Sequence, residues 1–199
     1  VSVEIARAAN LFVVFPAVIA LDARQRGIGS ESHRSPARSV EERGRRTIFV
    51  FVADHVSSET FAPKTLTPTG NTRIVCLIYT PDGSVRGRHE GVVQQIDLMP
   101  TLLGLLGYDK PYFAFGRDVL HETGRTAMAT NSAGDIYQGI TDSLVLFFDG
   151  ERTTSAYLRS DTLQRQDVSD RRTPLLEEAE RQLKARLQQY YEHVERRDY

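Results

Sequence analysis

One stretch of the chain decides the fold, and it runs Thr47-Ile48-Phe49-Val50-Phe51-Val52-Ala53-Asp54-His55. Its first seven residues carry almost no polar side chains and are rich in β-branched and aromatic types, which predicts a strand buried on both faces. Ligands of open α/β sheets bind beyond the carboxyl ends of the strands. Asp54 and His55 are therefore candidate ligands of a divalent cation, because they offer an oxygen and a nitrogen donor side by side. The alternative is that Asp54 caps the next turn and His55 only leaves the sheet.

The composition is that of a globular domain of ordinary size. A chain of 199 residues is long enough to bury a sizeable core. The formal net charge of −1 at pH 7 gives no indication of nucleic acid as a partner. Cys76 is the single cysteine, which excludes an internal disulfide, and its position in an apolar run predicts a buried, inert thiol.

The first 46 residues differ in character from the rest. Residues 8–21 are almost continuously apolar but are too short to span a bilayer and contain Pro16. We expect a buried strand or helix there, with a membrane-associated segment as the alternative. Residues 22–46 hold seven arginines against four acids and few large apolar side chains, which predicts a flexible or poorly ordered linker. A basic patch for an anionic partner is the alternative for that segment.

A loop punctuated by proline and glycine follows the Asp-His pair. Lys64 and the threonines at positions 65, 67, 69 and 72 are candidates for lining a site for an anionic group, and an exposed loop without such a role is the alternative. The apolar pattern of residues 73–80 predicts a second buried strand, and a turn at residues 81–83 ends it.

Residues 96–107 have the pattern of a helix. Asp97 is suited to cap its exposed amides, Pro100 is tolerated in the first turn, and Gly107 is suited to end it. Apolar side chains cover most of the circumference, so we expect this helix to pack deep against the sheet. Strand, loop, strand and packed helix form the layout of an α/β layer protein.

The rest of the sequence has the pattern of an antiparallel meander followed by a last helix. The expected strands are residues 126–131, 135–140, 143–148 and 153–159, with an Asp-Gly hairpin turn at 149–150. Thr173 and Pro174 suit the cap and first position of a helix that runs to about 197. Its apolar stripe is expected to pack on the domain, with a dimer seam as the alternative. The aromatic connection at 108–119 is expected to anchor itself to the core rather than to stack on a ligand.

Four motifs occur in a characteristic order. They are residues 47–55, Ile78-Tyr79-Thr80-Pro81, residues 94–103 (Gln-Gln-Ile-Asp-Leu-Met-Pro-Thr-Leu-Leu) and residues 111–118 (Pro-Tyr-Phe-Ala-Phe-Gly-Arg-Asp). Together they resemble the carboxyl-terminal half of the sulfatase domain in lipoteichoic acid synthase-like proteins, within the alkaline phosphatase superfamily. The resemblance implies part of a layered α/β sheet with helices of the sulfatase type, to which the meander and the last helix are added. It divides the chain into an atypical segment, 1–46, and a sulfatase-like part, 47–199.

The resemblance also implies a chemistry. It suggests a metal-dependent phosphoglycerol or phosphoethanolamine transferase, or a hydrolase of sulfate or phosphate esters. Asp54 and His55 would be metal ligands. Lys64, from its place in the loop that follows them, is the candidate for binding the substrate. Mn²⁺ or Mg²⁺ suits such a site best, with Zn²⁺ or Ca²⁺ as alternatives. The substrate would be a phosphate or sulfate ester, including a lipid-linked one, and the parent enzyme would be membrane-anchored with its catalytic domain outside the cytoplasm.

One departure from the family pattern matters. Such enzymes place the nucleophile and a further acidic ligand well upstream of the Asp-His strand, and residues 1–46 do not resemble that part. The serines at 30, 32, 35 and 39 do not follow a buried strand as a nucleophile would. We therefore expect a truncated chain whose first residues are altered, through a shifted reading frame by hypothesis, and which is inactive by itself. A non-catalytic remnant or binding module is the alternative, so the sequence leaves open whether this chain is an enzyme.

Overall fold

The computed structural model describes residues 3–5, 18–22, 47–56, 62–122 and 127–196. Within these residues, eight strands form two four-stranded sheets that are accompanied by two α-helices. The first sheet contains β1 (Val3–Ile5), β2 (Val18–Asp22), β3 (Thr47–Val52) and β4 (Ile74–Tyr79), in the order β1-β4-β3-β2. β1 lies parallel to β4, and the other neighbours are antiparallel. This arrangement confirms the predicted α/β class.

The expectation that the central strands are buried on both faces is wrong. In β3, Ile48 and Val50 are buried while the alternate residues are only half-buried. In β4, burial also alternates, and the side chains of Val75 and Tyr79 are exposed. Both strands therefore have one fully covered face, because the helix that follows β4 packs on one side of the pair. The prediction of a buried, inert Cys76 is confirmed, since burial raises the pKa of its thiol to about 11.

Residues 18–22, at the end of the apolar N-terminal run, form a strand, which is one of the two kinds of element expected there. β2 runs antiparallel to β3, with Ala20 opposite Phe49. It thereby supplies the edge of the first sheet next to the Asp-His strand. Residues 8–17 of that run, and the arginine-rich segment at 23–46, lie outside the described residues, so the expectations for them stay predictions.

The helix predicted at 96–107 is present but shorter. A 3₁₀ turn, Gln95–Asp97, leads into α1 (Leu98–Leu105). Gly107 ends it in the left-handed conformation, with the Tyr108 N–H donating to the Leu103 carbonyl at 2.9 Å. Leu98, Leu102 and the leucines at 105 and 106 pack against β3 and β4. Met99 is exposed, so α1 covers the sheet without being enclosed, contrary to the deep burial expected.

The meander is confirmed as the second sheet. Its strands are β5 (Met128–Ala133), β6 (Ile136–Thr141), β7 (Leu144–Phe148) and β8 (Thr153–Leu158), all antiparallel and in sequence order. The Asp-Gly turn joins β7 to β8 as predicted: Gly150 has a φ of +101°, and the Asp149 carboxylate accepts the amides of Glu151 and Arg152. This carboxylate and the left-handed glycine together define the turn.

The last helix, α2 (Pro174–Arg196), begins and ends close to the predicted residues. The Thr173 hydroxyl accepts the amide of Leu176 at 3.3 Å, which confirms the cap. Leu176, Ala179 and Leu183 pack on the second sheet, but the distal members of the stripe, Tyr190 and Val194, are exposed. None of the helices in the described part of the chain is long and apolar enough to cross a membrane.

Candidate functional site

Asp54 and His55 lie directly beyond the carboxyl end of β3, and both side chains point into solvent. Their exposed fractions are 79% and 78%. The Ala53 amide still donates to the Val75 carbonyl of β4 at 3.1 Å, so the chain leaves the sheet one residue before the acid. His55 Nε2 lies 3.6 Å from Asp54 Oδ1, so the two side chains share one side of the chain and are open to a ligand.

A hydrogen bond selects the tautomer of His55. Its Nδ1 lies 2.7 Å from the Val56 carbonyl oxygen, and because a carbonyl can only accept, Nδ1 carries the proton. In the neutral imidazole, Nε2 is then left with its lone pair, the state in which a histidine binds a metal ion while its other ring nitrogen is held by a carbonyl. The Asp54 carboxylate also accepts the His55 amide through Oδ1 at 2.9 Å, which fixes its direction.

The spacing of the two donor atoms fits a shared cation. Bonds of about 2.1 Å to one ion place two ligand atoms about 3.0 Å apart at right angles and about 3.4 Å apart in a tetrahedron. The observed 3.6 Å is slightly wider, and two exposed side chains can close that difference by a small rotation. No group of three or more His, Cys, Asp or Glu side chains is arranged to hold a metal ion among the described residues. The pair therefore supplies part of a coordination sphere.

The segment before α1 supports the Asp-His corner. Gln95 donates through Nε2 to the Ala53 carbonyl at 2.8 Å and to the Asp54 carbonyl at 3.4 Å. Its neighbour Gln94 is buried, donates to the Met128 carbonyl and accepts the amide of Thr130. The two adjacent glutamines thus join α1 to the end of β3 on one side and to the second sheet on the other. Sequence reasoning noted this glutamine pair as a motif but did not assign it a supporting role.

Asp97 has a structural role, as the sequence analysis held. It is buried, and its carboxylate accepts the amide of Gln94 at 3.0 Å and that of Arg117 at 2.9 Å. It therefore caps the 3₁₀ turn and secures the 116–119 segment, rather than capping the first amides of α1. The Thr101 hydroxyl adds to this network, because it donates to the Asp97 carbonyl and accepts the amide of Val119.

Lys64 lies on a 3₁₀ turn, Pro63–Leu66, and is exposed. It lines a small cavity together with Thr67 and Thr69, while Asp54 and His55 are not part of that lining. The hydroxyls of the other two candidate threonines, Thr65 and Thr72, donate to carbonyls within the loop, at Ala62 and Thr69. The structure thus gathers three of the five candidates around one cavity, and the Thr67 hydroxyl also shapes the loop, because it donates to the Lys64 carbonyl at 3.0 Å.

The aromatic connection packs differently from the prediction. Phe113 stacks on the imidazole of His193 with ring centres 4.1 Å apart, and Phe115 contacts Tyr190. The aromatic side chains of the connection are therefore anchored to the exposed distal part of α2, and its last residue, Val119, is buried in the core. This explains why the apolar stripe of α2 continues beyond the region that the second sheet covers.

The fold and the site together define an α/β protein with a carboxylate and an imidazole at the carboxyl end of a central strand. The sulfatase family model matches residues 39–108, which contain β3, Asp54, His55, Lys64 and α1. The match covers about a third of the chain and shows that this part is similar to the sulfatase family. No match was found among curated proteins or among solved structures.

Proposed function

We propose that this chain carries the carboxyl-terminal part of a sulfatase-superfamily enzyme of the lipoteichoic acid synthase-like branch, in which Asp54 and His55 are two ligands of a divalent cation. The observation that carries the proposal is the donor pair itself. It stands at the end of β3, within the matched residues, with the His55 Nε2 lone pair open to solvent and 3.6 Å from a carboxylate oxygen. Mn²⁺ or Mg²⁺ suits a mixed oxygen and nitrogen site, with Zn²⁺ or Ca²⁺ as alternatives.

The chemistry that such a cation supplies is neutralisation of the charge on a phosphate or sulfate ester and on the group that attacks it. The residues of this chain contribute the donor atoms and hold them in position. Asp54 contributes a negative charge, and His55 contributes a neutral nitrogen whose tautomer the Val56 carbonyl maintains. Gln95 holds the backbone of Ala53 and Asp54, which keeps the donor pair at a fixed position relative to α1.

The described residues supply two ligands and no nucleophile that the family pattern would recognise. We therefore propose that these residues bind a cation weakly and do not turn over an ester unaided. The same observation favours a second candidate, a non-catalytic remnant or binding module that keeps the fold. In either case residues 1–46 form an atypical segment and residues 47–199 form the sulfatase-like part. In the parent enzyme, membrane anchoring and an extracytoplasmic, lipid-linked ester substrate would follow from the family branch.

The cation site can be tested without any assay of activity. Mn²⁺ broadens the NMR signals of nearby nuclei, so titration of the ¹⁵N-labelled protein should weaken the amide signals of residues 54–56 first. Asp54→Asn and His55→Gln should each remove this local broadening, because each deletes one donor. Asp109→Asn, an exposed acid outside the site, serves as the control and should leave it unchanged. Broadening spread evenly over the surface, or retained in both variants, would contradict the proposal.

A further inference from the structure

An exposed aromatic surface lies where the aromatic connection meets the distal part of α2. Phe113 and Phe115 pack edge to face, with ring centres 4.9 Å apart. The chain of ring contacts continues from Phe115 to Tyr190 at 5.7 Å and from Tyr190 to Tyr191 at 5.5 Å. Four side chains of this region are each 40–52% exposed and are called the aromatic surface below: Phe113, Tyr190, Tyr191 and Val194. A connected apolar surface of this kind marks an interaction site more often than scattered single residues do.

The helix that carries most of this surface extends beyond the sheet on which it packs. The buried apolar side chains of α2 end at Leu183, and Leu187 is partly buried against the same cluster. The stripe then continues at Tyr190 and Val194, which remain exposed although the aromatic connection contacts the helix on one side. Helices in proteins are stabilised mainly by packing of their apolar face. The distal stripe of α2 therefore has the character of a packing face that a further partner covers.

The size of the surface suits an interface between two proteins. A buried aromatic side chain removes about 150–250 Å² from water, so a half-exposed ring leaves roughly half of that area open. Phe113, Tyr190 and Tyr191, with the neighbouring Tyr112, together expose roughly 300–500 Å², to which Val194 adds. A stable interface buries about 800 Å² of each partner, of which somewhat more than half is apolar. The open apolar area therefore matches what one side of such an interface requires.

The charges around the surface restrict the kind of partner. Two basic and three acidic exposed side chains flank it in the sequence: Lys110, Arg196, Asp109, Glu192 and Glu195. A surface for nucleic acid or an anionic bilayer would be predominantly basic. A rim that carries both signs suits a partner with the same rim, because each charge on one copy can face the opposite charge on the other. A second copy of this chain is such a partner.

We propose that the aromatic surface is the interface between two copies of this chain that are related by a two-fold axis. Each copy presents the same face, as two-fold symmetry requires. The distal parts of α2 pack against each other in antiparallel orientation, which also opposes their macrodipoles. Tyr190 and Val194 form the centre of the contact, and Phe113 flanks it. This is the dimer seam that the apolar pattern of α2 left open, and it requires no cation at the donor pair.

Sedimentation equilibrium of the full chain between about 1 and 100 µM tests the proposal, and a monomer–dimer equilibrium is expected in this range. Tyr190→Arg and Val194→Arg should each weaken dimerisation at least about tenfold, because each places a charge in the apolar centre. Both side chains are exposed, so the monomers should remain folded, which circular dichroism and urea denaturation check. Leu175→Arg, at an exposed leucine near the other end of α2, is the matched control and should leave dimerisation unchanged.

A spin label locates the contact independently. Cys76 is buried, so a nitroxide reagent reaches the thiol that Lys110→Cys adds beside the aromatic connection. When the labelled copies are mixed with ¹⁵N-labelled wild-type protein, the amide signals of residues 112–115 and 188–196 of the wild type should weaken most. Reduction of the nitroxide with ascorbate should restore these signals.

Three results would overturn the proposal. One is a protein that stays monomeric at all concentrations, including one that instead sediments with neutral phosphatidylcholine vesicles, because the surface would then meet a lipid bilayer. Another is a dimer that both Tyr190→Arg and Val194→Arg leave intact. The third is weakening of the amide signals that is spread evenly over the wild-type copy.

Discussion

At the scale of single residues, Gly104 shows how one close contact can make alanine less favourable than glycine inside a helix. It lies within α1, where alanine normally stabilises a helix by about 1 kcal/mol relative to glycine. A Cβ at this position, however, would lie 1.8 Å from Asp118 Oδ2, an impossible approach. Asp118 is buried and is held by His121, whose Nδ1 lies 2.7 Å from the same oxygen. The carboxylate therefore cannot move away without losing its partner.

We predict that Gly104→Ala lowers the free energy of unfolding by about 1–3 kcal/mol, the usual cost of an added methyl group in a packed site. Urea denaturation of the variant and the wild-type protein measures this change. In an Asp118→Ala background the carboxylate is absent and His121, whose Nδ1 would lie 3.2 Å from the added Cβ, has lost that partner, so the same substitution should cost less. A stabilising effect of Gly104→Ala in the wild-type background would show that Asp118 does not occupy this position.

At the scale of elements, Glu180 joins α2 to the second sheet. It is buried on α2, and its carboxylate accepts the hydroxyl of Thr153 in β8 at 2.7 Å and the ammonium of Lys184 at 2.6 Å. Burial acts to raise the pKa of Glu180. The hydrogen bonds from Lys184 and Thr153, with the charges of Lys184 and Arg172, outweigh burial and hold the pKa below its ordinary value of 4.5.

A carboxyl group with a lowered pKa in the folded state stabilises the protein above its unfolded pKa. That stability is lost as the pH falls through the folded-state pKa. We predict that Glu180→Gln destabilises the protein by about 1–3 kcal/mol at pH 7, as expected for loss of charged hydrogen bonds. Its stability should then decrease less than that of the wild type between pH 5 and pH 3, about the range in which an ordinary glutamate titrates. The urea midpoints of both proteins at pH 5 and pH 3 measure this difference, and Glu195→Gln, at an exposed glutamate, is the control. If the stability of the Glu180→Gln protein fell with pH in parallel with that of the wild type, the stabilising role of Glu180 would be contradicted.

At the scale of the whole molecule, the described residues contain two donors of the proposed cation site. Asp54 and His55 stand on the first sheet without a third metal-binding side chain from the described ranges beside them. We predict no measurable turnover of a chromogenic phosphomonoester, phosphodiester or sulfate ester with Mn²⁺ present, because two ligands do not hold a cation firmly enough to activate a nucleophile. The Asp54→Ala protein gives the background rate. Metal-dependent turnover that Asp54→Ala abolishes would contradict this prediction.

Local patterns predicted most of the elements. The Asp-Gly turn between β7 and β8, the end of α1 at Gly107 and the cap of α2 at Thr173 each depend on residues a few positions apart, so the sequence carries the whole signal. Burial was less predictable. An apolar strand such as β3 is compatible with one covered face or two, and only the placement of α1 decides between them.

The sequence by itself determined the α/β class and the position of Asp54 and His55 at a strand end, because both follow from hydrophobic periodicity within one segment. The tertiary structure decided which distant residues meet. It placed Lys64 and Arg159 around one cavity, joined Gln94 to β5, and left the Oε1 of Gln164 buried without a partner among the described residues. These contacts depend on how the sheets pack in three dimensions, and no local pattern along the chain encodes such distances.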